Sequence, residues 1–551
     1  MNISELIEAL KCPEAFPVPT QSVEVRQTHI SAVFLLDDLV YKVKKPLNLG
    51  FLDFSQLDRR RHFCEQEVFL NRRLAPDVYL GVVPIAKGPG GIRVEGDGEV
   101  VEWAVKMRRL PDSATLESRL ARRIVEKQEL KQVARRLAEF HAQAARSPEI
   151  SAFGRFEVVA GNARENFEQS EPDVGQTVHF RTFERCRQRT EELLDELKPW
   201  IVSRAERHIP CDTHGDLHLD HVYLFDRPPP DDVVIVDCIE FNERFRYADP
   251  IADAAFLVMD LKAHRRDDLA AVFAASYLQL TRDDDGARLM PFYSAYRAIV
   301  RAKVEGIKRR EAEIPESDKV RSLDRARRHW LLALRELECP SRRPALVLIG
   351  GLPGTGKSTL ARHLSATDHF IVLRTDEIRK QLAGVRPLES QRTEFGVGIY
   401  SDEWTRRTYA EVQHRAEELL FQGQRVIVDA TFGEDSLRQS FLEAADRWCV
   451  PVLWLECRAD PEVSRQRLQK RRGDASDADW AVYQRLSDMW SPPTDQTRPF
   501  LRIVGTNGPS DHAVAQARRF LADLGVISSE LPENVTHTDH THEHSSFISD
   551  K

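Results

Sequence analysis

Residues 344–365 read PALVLIGGLPGTGKSTLARHLS. An apolar run, ALVLIG, enters a glycine-rich segment in which Gly351, Gly356, Lys357 and Ser358 satisfy the spacing G-x-x-x-x-G-K-[ST], and helix-forming sequence follows. The physical reason for the pattern is phosphate binding. Glycines let backbone N–H groups wrap an anion, and the N-terminus of the helix adds positive potential. Gly351, Gly354, Thr355, Gly356, Lys357, Ser358 and Thr359 are the candidate nucleotide-binding set; Lys357 would reach the β and γ phosphates of ATP, and Ser358 would help to hold Mg²⁺.

Outward from this loop, ALVLIG, HFIVLRT, RVIVDAT and VPVLWLEC are short, apolar and separated by helical stretches. That alternation predicts an α/β domain with a parallel sheet covered by helices, over 344–527. RTDEIRKQL puts Asp376 and Arg379 after the second strand, at the carboxyl end of the sheet where ligands of open α/β folds bind. Asp376 is a candidate to orient an acceptor hydroxyl and Arg379 to hold the acceptor or steady transferred charge; Asp376 also suits a helix cap. VIVDATF ends in Asp429 and Thr431, suited to the metal shell or to the acceptor. SRQRLQKRRGDASDADW offers Arg465, Arg467, Arg471 and Arg472 as a cationic lid. These motifs together resemble the small P-loop kinases related to gluconate kinase, chloramphenicol phosphotransferase, zeta toxin and polynucleotide kinase. The resemblance covers about 344–525 and implies transfer to the hydroxyl of a small molecule or nucleotide.

A second ATP site is written upstream, in HGDLHLDHVYLF at 214–225. A phosphotransferase of the protein-kinase type needs an Asp beside the attacking hydroxyl, a metal-binding Asp one hairpin later, and a Lys held by an acidic partner. Asp216 is the candidate base. VVIVDCIEFNE supplies Asp237, 21 residues on, at the end of an apolar run. In LVYKVKKP, Val40, Lys42 and Lys44 share one strand face, and Lys42 is preferred for the phosphates. On the following helical stretch, roughly 56–74, Phe63, Glu67, Leu70 and Leu74 share a face, so Glu67 points inward and Glu65 does not. VKMRRLP, with Met107, is the expected hinge beside the adenine.

These residues resemble the aminoglycoside phosphotransferase-like family over roughly 25–335, through HGDLHLDHV and through YADPIADAAFL with Asp249 and Asp253. The resemblance implies a bilobal α+β kinase-like fold, with a strand-rich lobe about 22–110 and a helical lobe about 111–335. Asp249 and Asp253 read as turn and helix caps. VYKVKKPLNLGFLDFSQLDRR and YRAIVRAKVEGIK resemble a subgroup of phosphotransferase-like proteins that are sometimes fused to a P-loop kinase. Two positions depart from the family pattern. His221 stands where the family has a metal-binding Asn; His221 is the second metal candidate beside Asp237, with donation from His221 to a phosphate, or the neighbouring Asp220 at the metal, as the alternatives. RQTHISAVF, where a nucleotide-covering loop is expected, has no glycine, leaving Thr28 and Ser31 to meet phosphate oxygens.

Bulk properties agree with two catalytic domains. The 551 residues are 42% apolar and 30% charged, and the net charge of -8 supplies no general attraction to nucleic acid or anionic membrane. The eight cysteines form no C-x-x-C pair, the N-terminus lacks a signal-peptide pattern, and no apolar run reaches the ~20 residues of a membrane span. A cytoplasmic protein is expected. Pro340, Arg342, Arg343 and Pro344 mark a linker at 336–343, and the polar tail 528–551, with His537, His540, His542 and His544, reads as disordered. The expected function is ATP- and Mg²⁺-dependent phosphoryl transfer at two sites to small-molecule hydroxyls. The alternatives are an N-terminal pseudokinase that regulates the P-loop half, and a polynucleotide 5′-hydroxyl kinase. Glu240 and Glu243 are candidates to attract a cationic acceptor.

Overall fold

The computed structural model describes residues 3–50, 52–311, 314–386, 398–471 and 476–528. Arg472 and the histidines of the tail lie outside the described residues. The chain separates into two compact units, one of Met1–Glu338 with Glu417–Gly423 and Leu442–Val450, the other of Cys339–Ala416, Gln424–Phe441 and the chain from Pro451 onward.

After an N-terminal helix, Ile3–Ala9, the first unit has strands β1 (Glu24–Gln27), β2 (Ser31–Leu35) and β3 (Leu39–Lys44), followed by the helix Leu57–Asn71 and strands β4 (Tyr79–Gly88), β5 (Gly91–Val94) and β6 (Glu99–Arg108). They pair antiparallel in the order β1-β2-β3-β6-β4-β5. Leu35 faces Val40 across the Asp37–Asp38 turn, and Lys42 sits opposite Val33 on one side and Val105 on the other. Cys64 and Val68 of the helix pack on Tyr79 and Val105, which fixes the helix rotation and turns Glu67 into the protein.

The remainder of this unit is helical, as the periodicity of 124–145 predicts: Val133, Leu137 and Phe140 of the helix Lys127–Gln143 are buried. Two small antiparallel pairs interrupt the helices, β7 (Cys211–Asp212) with β10 (Tyr247–Ala248) and, between them in sequence, β8 (Val222–Leu224) with β9 (Val233–Ile235). HGDLHLDH fills the connection from β7 to β8, and Asp237 lies just beyond β9. The helix Pro250–Ala263 passes beneath this loop, buried almost all round because its sequence is apolar on every face. No helix among the described residues is long and apolar enough to cross a membrane.

In the second unit β11 (Ala345–Gly350), β12 (Ile371–Arg374), β13 (Arg425–Asp429), β14 (Val452–Arg458) and β15 (Leu501–Gly505) form a parallel sheet in the order β12-β13-β11-β14-β15. β11 is central and buried along its whole length. Chain order reverses on either side of it, which opens a crevice at its carboxyl end, where the phosphate loop begins. β15 has no counterpart in the sequence reading. As an edge strand it buries only Val504, so it lacks the continuous apolar run by which the other strands are recognised.

The helical part of the first unit is cross-tied by Arg204, which is fully buried. Its guanidinium donates to both carboxylate oxygens of Asp249 (2.6 and 2.8 Å) and both of Asp283 (2.6 and 2.7 Å). Removing the cation strands two partly or wholly buried carboxylates, so Arg204→Met is expected to cost about 3–5 kcal/mol in chemical denaturation. A cost within 1 kcal/mol would contradict this account.

Candidate active site

In the first unit the site is built around Glu67. Lys42 Nζ lies 2.9 Å from Glu67 Oε1 and 2.5 Å from Asp237 Oδ1, while Lys44 Nζ lies 2.7 Å from Glu67 Oε2 and also pairs with Glu240. Burial favours the neutral acid in Glu67, but the two ammonium groups overcome it and hold its pKa below the usual range. The expected Lys42–Glu67 pair is present, and the sequence reading did not assign Lys44 to it. Glu240 is buried against Lys44 and is not free to attract a cationic acceptor. Glu243, on the short helix Glu243–Arg246, accepts from Tyr247 Oη (3.3 Å).

Asp237 takes a left-handed φ of 65°, a conformation that aspartate tolerates better than most residues and that recurs at functional sites. The strand-rich lobe holds it there: its N–H donates to Tyr79 Oη (3.1 Å), and the N–H of Cys238 donates to Asn71 Oδ1 (2.8 Å).

Asp253 anchors the loop that carries Asp216. Its carboxylate accepts from the N–H groups of His214 (3.0 Å) and Gly215 (2.9 Å) and contacts His141 Nε2 at 3.2 Å. Asp249 is the N-cap of the helix Pro250–Ala263, as expected, whereas Asp253 is a loop anchor rather than a cap. Gly215 is required by geometry: its φ is 87°, and a Cβ there would come within 2.8 Å of the Phe245 carbonyl oxygen.

Asp216 Oδ1 lies 2.8 Å from His218 Nε2. Burial would raise the Asp216 pKa, but His218, His221 and Arg301 together hold it far below the carboxylate range. His221 Nδ1 donates to the Asp216 carbonyl (2.8 Å), which turns Nε2 toward Asp237 Oδ2 at 3.7 Å. With Nδ1 committed, Nε2 is the nitrogen available to a cation. Asp220, the alternative, is exposed at the rim. Thr28 Oγ1 is spent on the turn, accepting from the Ser31 N–H (3.0 Å) and donating to the Ser31 carbonyl (3.3 Å), so Thr28 is not a free phosphate donor; Ser31 Oγ is buried without a partner among the described residues. Met107 belongs to β6, paired with Val40 and Tyr79, and the hinge segment begins beyond it. Val40, Lys42, Met107, Asp216, His221 and Asp237 all line one cavity of about 1200 Å³.

In the second unit Gly351 (φ 136°) passes so close to β14 that a Cβ would meet the Cys457 carbonyl oxygen at 2.5 Å. Gly354 (φ 79°) is confined in the same way by the Ser464 carbonyl, at 2.8 Å. Lys357 begins the helix Lys357–Asp368, and its Nζ donates to the Leu352 carbonyl (2.9 Å). Burial pushes the Lys357 pKa down and the Asp429 pKa up, so each is biased toward its neutral form. A polyphosphate beside Lys357 and a metal ion beside Asp429 would favour the charged form of each. Arg374, which the sequence reading passed over, ends β12 with Nε 3.3 Å from Asp429 Oδ2 and Nη2 3.3 Å from Ser358 Oγ. Its signal was its position, one residue before the TDEIRKQL motif.

Asp376 does not cap a helix. The helix Thr375–Leu382 starts before it, and its carboxylate lines a cavity of about 430 Å³ without a hydrogen bond or ion pair among the described residues. Arg379 lines the same cavity, anchored through Nη1 to the Ile399 carbonyl (2.8 Å) and Thr405 Oγ1 (3.1 Å). Thr431 and Arg471 also line it. Arg467 Nη2 donates to the Thr506 carbonyl (2.6 Å), and its Nη1, near Gly356, is buried with no partner among the described residues. Such a donor suits a phosphate oxygen. Arg465 stacks over Trp480, away from this role.

A pH prediction follows from His214, whose Nε2 donates to the Val236 carbonyl (2.9 Å) and whose pKa burial pushes down to about 4. Below the usual ~6.5 the unfolded chain binds a proton that the folded imidazole refuses, so stability falls as pH drops from ~6.5 to ~4, by on the order of 3 kcal/mol. Chemical denaturation of the wild type and His214→Gln across that window is expected to show a flatter slope in the variant; equal slopes would refute the assignment.

Residues 89–292 match the model described as "Phosphotransferase enzyme family", and 346–493 the model described as "AAA domain". The chain is 32% identical to an uncharacterised protein of Mycobacterium tuberculosis strain H37Rv over 505 residues, 92% of this chain and 96% of the relative, and equally so to one of Mycobacterium bovis. Among solved structures, a gluconokinase from Sinorhizobium meliloti 1021 is similar at 18% identity (33% of this chain, 95% of that one, TM-score 0.25). The GDP complex of aminoglycoside 2′-phosphotransferase-IIIa is similar at 16% (57% and 94%, TM-score 0.36). The chain belongs to one family with these mycobacterial proteins, and it joins a kinase-like domain of the aminoglycoside phosphotransferase type to a P-loop kinase domain.

Proposed function

We propose that the protein is a cytoplasmic ATP-dependent phosphotransferase with two active sites, each passing a γ-phosphoryl group to the hydroxyl of a small molecule. The observation that carries this reading is common to both units: a half-buried lysine, a carboxylate just past or at a strand end and a second carboxylate line one cavity, as Lys42, Asp237 and Asp216 do in the first and Lys357, Asp429 and Asp376 in the second.

In the first unit Lys42, fixed by Glu67, grips the phosphates, and Met107 lies on the adenine side. Asp237 and His221 hold the metal. Asp216 orients the acceptor hydroxyl. Its low proton affinity makes it a poor base toward a free alcohol, so the proton moves to it late, when the new bond to phosphorus is largely formed. In the second unit the backbone from Gly351 to Thr359 cradles the phosphates, Arg467 and Arg471 add positive charge from the lid side, and Ser358 and Asp429 hold the metal. Asp376 orients the second acceptor beside Arg379. Ser358 and Asp429 offer the oxygen donors that Mg²⁺ prefers, whereas Asp237 and His221 offer one oxygen and one nitrogen. Mg²⁺, when bound, neutralises charge on the phosphates.

The test is transfer from [γ-³²P]ATP to pooled cell metabolites by wild type, Asp216→Asn and Lys357→Ala. One labelled product is expected to fall by about 10²–10⁴-fold in Asp216→Asn only, and another by a comparable factor in Lys357→Ala only. If Asp216→Asn removes no product but changes turnover at the P-loop site, the first unit is a regulatory ligand-binding module instead.

A further inference from the structure

We propose that the acceptor of the N-terminal site carries an anionic group, a carboxylate or a phosphate, and that Arg301 binds it; the proposal rests on the phosphotransferase reading above. Arg301 projects from the helix Gly286–Arg310 into the cavity that holds Asp216. Its Nη1 lies 3.3 Å from His218 Nε2. That nitrogen cannot accept from Arg301 while it donates to Asp216 Oδ1 at 2.8 Å, so the guanidinium is placed beside the acceptor position without an acceptor of its own there. Among the described residues Arg301 has no carboxylate partner. The other cations of the cavity are differently placed: Lys42 is paired with Asp237 and Glu67, Arg26 with Asp112, and Arg109 with Glu24 and the Leu36 carbonyl. Arg108 donates to the Asp77 carbonyl.

The acidic groups of the wall are committed as well. Asp112 is taken by Arg26, Glu117 faces His264, and Glu240 is buried on Lys44. Asp220 is exposed at the rim, where it interacts with His221. Arg301 faces the Asp216 carboxylate as an electrostatic neighbour but donates to no carboxylate among the described residues, so its N–H groups stay open to an anion on the acceptor. An acceptor rich in ammonium groups would bring like charge against Arg301, whereas an anionic one completes it with charge-assisted hydrogen bonds. Asp216 and Arg301 both reach the same imidazole nitrogen, so the reacting hydroxyl and the anion belong a few bonds apart, as in a small hydroxy acid or a phosphorylated polyol.

In the reaction the acceptor oxygen bonds to the γ phosphorus as the bond to the β,γ-bridging oxygen breaks. ADP leaves with that electron pair, the hydroxyl proton passes to Asp216 and then to solvent, and the anion on Arg301 is unchanged.

The experiment uses the full chain carrying Lys357→Ala, so that transfer reports on the N-terminal site. Metabolites are separated by ion exchange into anionic, neutral and cationic pools and offered with [γ-³²P]ATP. Product is expected from the anionic pool alone. With that product's acceptor, Arg301→Gln is expected to raise KM by about 10- to 100-fold with the KM for ATP unchanged, and Arg301→Lys to recover part of the loss. Phosphatase treatment of the pool beforehand separates the sources: loss of product marks a phosphate, survival a carboxylate. Product from the neutral or cationic pool, or an anionic acceptor whose KM ignores both Arg301 variants, overturns the proposal. No product from any pool removes the phosphotransferase reading of this site, and the proposal with it. Binding of an ATP analogue to each variant confirms that the site is folded.

Discussion

Glu67 is a carboxylate with no exposure to solvent, and two ammonium groups, Lys42 and Lys44, close on its two oxygens. An ionised group in that position is tolerated only when paired and hydrogen-bonded, because the desolvation penalty is several kcal/mol per ion. The pairing sets much else in the unit. It fixes the helix Leu57–Asn71 against β3, and through the lysines it reaches Asp237 and Glu240, which follow β9 in the helical part of the unit. Lys42 is thus positioned by the same charges that hold the strand-rich and helical parts in register. Lys44 takes the deep position, leaving Lys42 the one open to the cavity.

The P-loop unit meets the same problem by a different device. Its anion site is made chiefly of backbone, so the demand falls on conformation rather than on side-chain pairing. Gly351 and Gly354 hold positive φ where carbonyl oxygens of neighbouring segments leave no room for a Cβ. Lys357, half-buried, and Asp429, buried, lie close to the loop, each biased toward neutrality, and Arg374 braces Asp429 and Ser358. Nη1 of Arg467, near Gly356, is buried with no partner among the described residues.

Histidine carries an unusual share of the work around Asp216. His214 stays neutral under the loop, His218 pairs with the Asp216 carboxylate, and His221 spans the Asp216 carbonyl and the Asp237 carboxylate. This arrangement lowers the basicity of Asp216 and commits one nitrogen of His221 to the backbone. It also leaves Arg301 beside His218 with no carboxylate partner among the described residues.

By itself the sequence determined the two domain types and most of the architecture, because those features are local. A phosphate loop is a spacing of glycines and a lysine; an apolar run of β-branched residues is a buried strand; and the inward direction of Glu67 follows from helical period alone. Tertiary structure decided what depends on partners distant in the chain. Lys44 could not be told from Lys42 on one strand face, since only packing says which is deeper. Glu240 read as a surface carboxylate until Lys44 was found against it, and Asp253 as a cap until two loop N–H groups were found on its oxygens. Arg301 lies 85 residues beyond Asp216, and its place beside His218 comes from the crossing of a helix under the loop, which no local pattern encodes. Short-range geometry is written in the order of residues, whereas the charge balance of a buried site is fixed only when the chain has brought its members together.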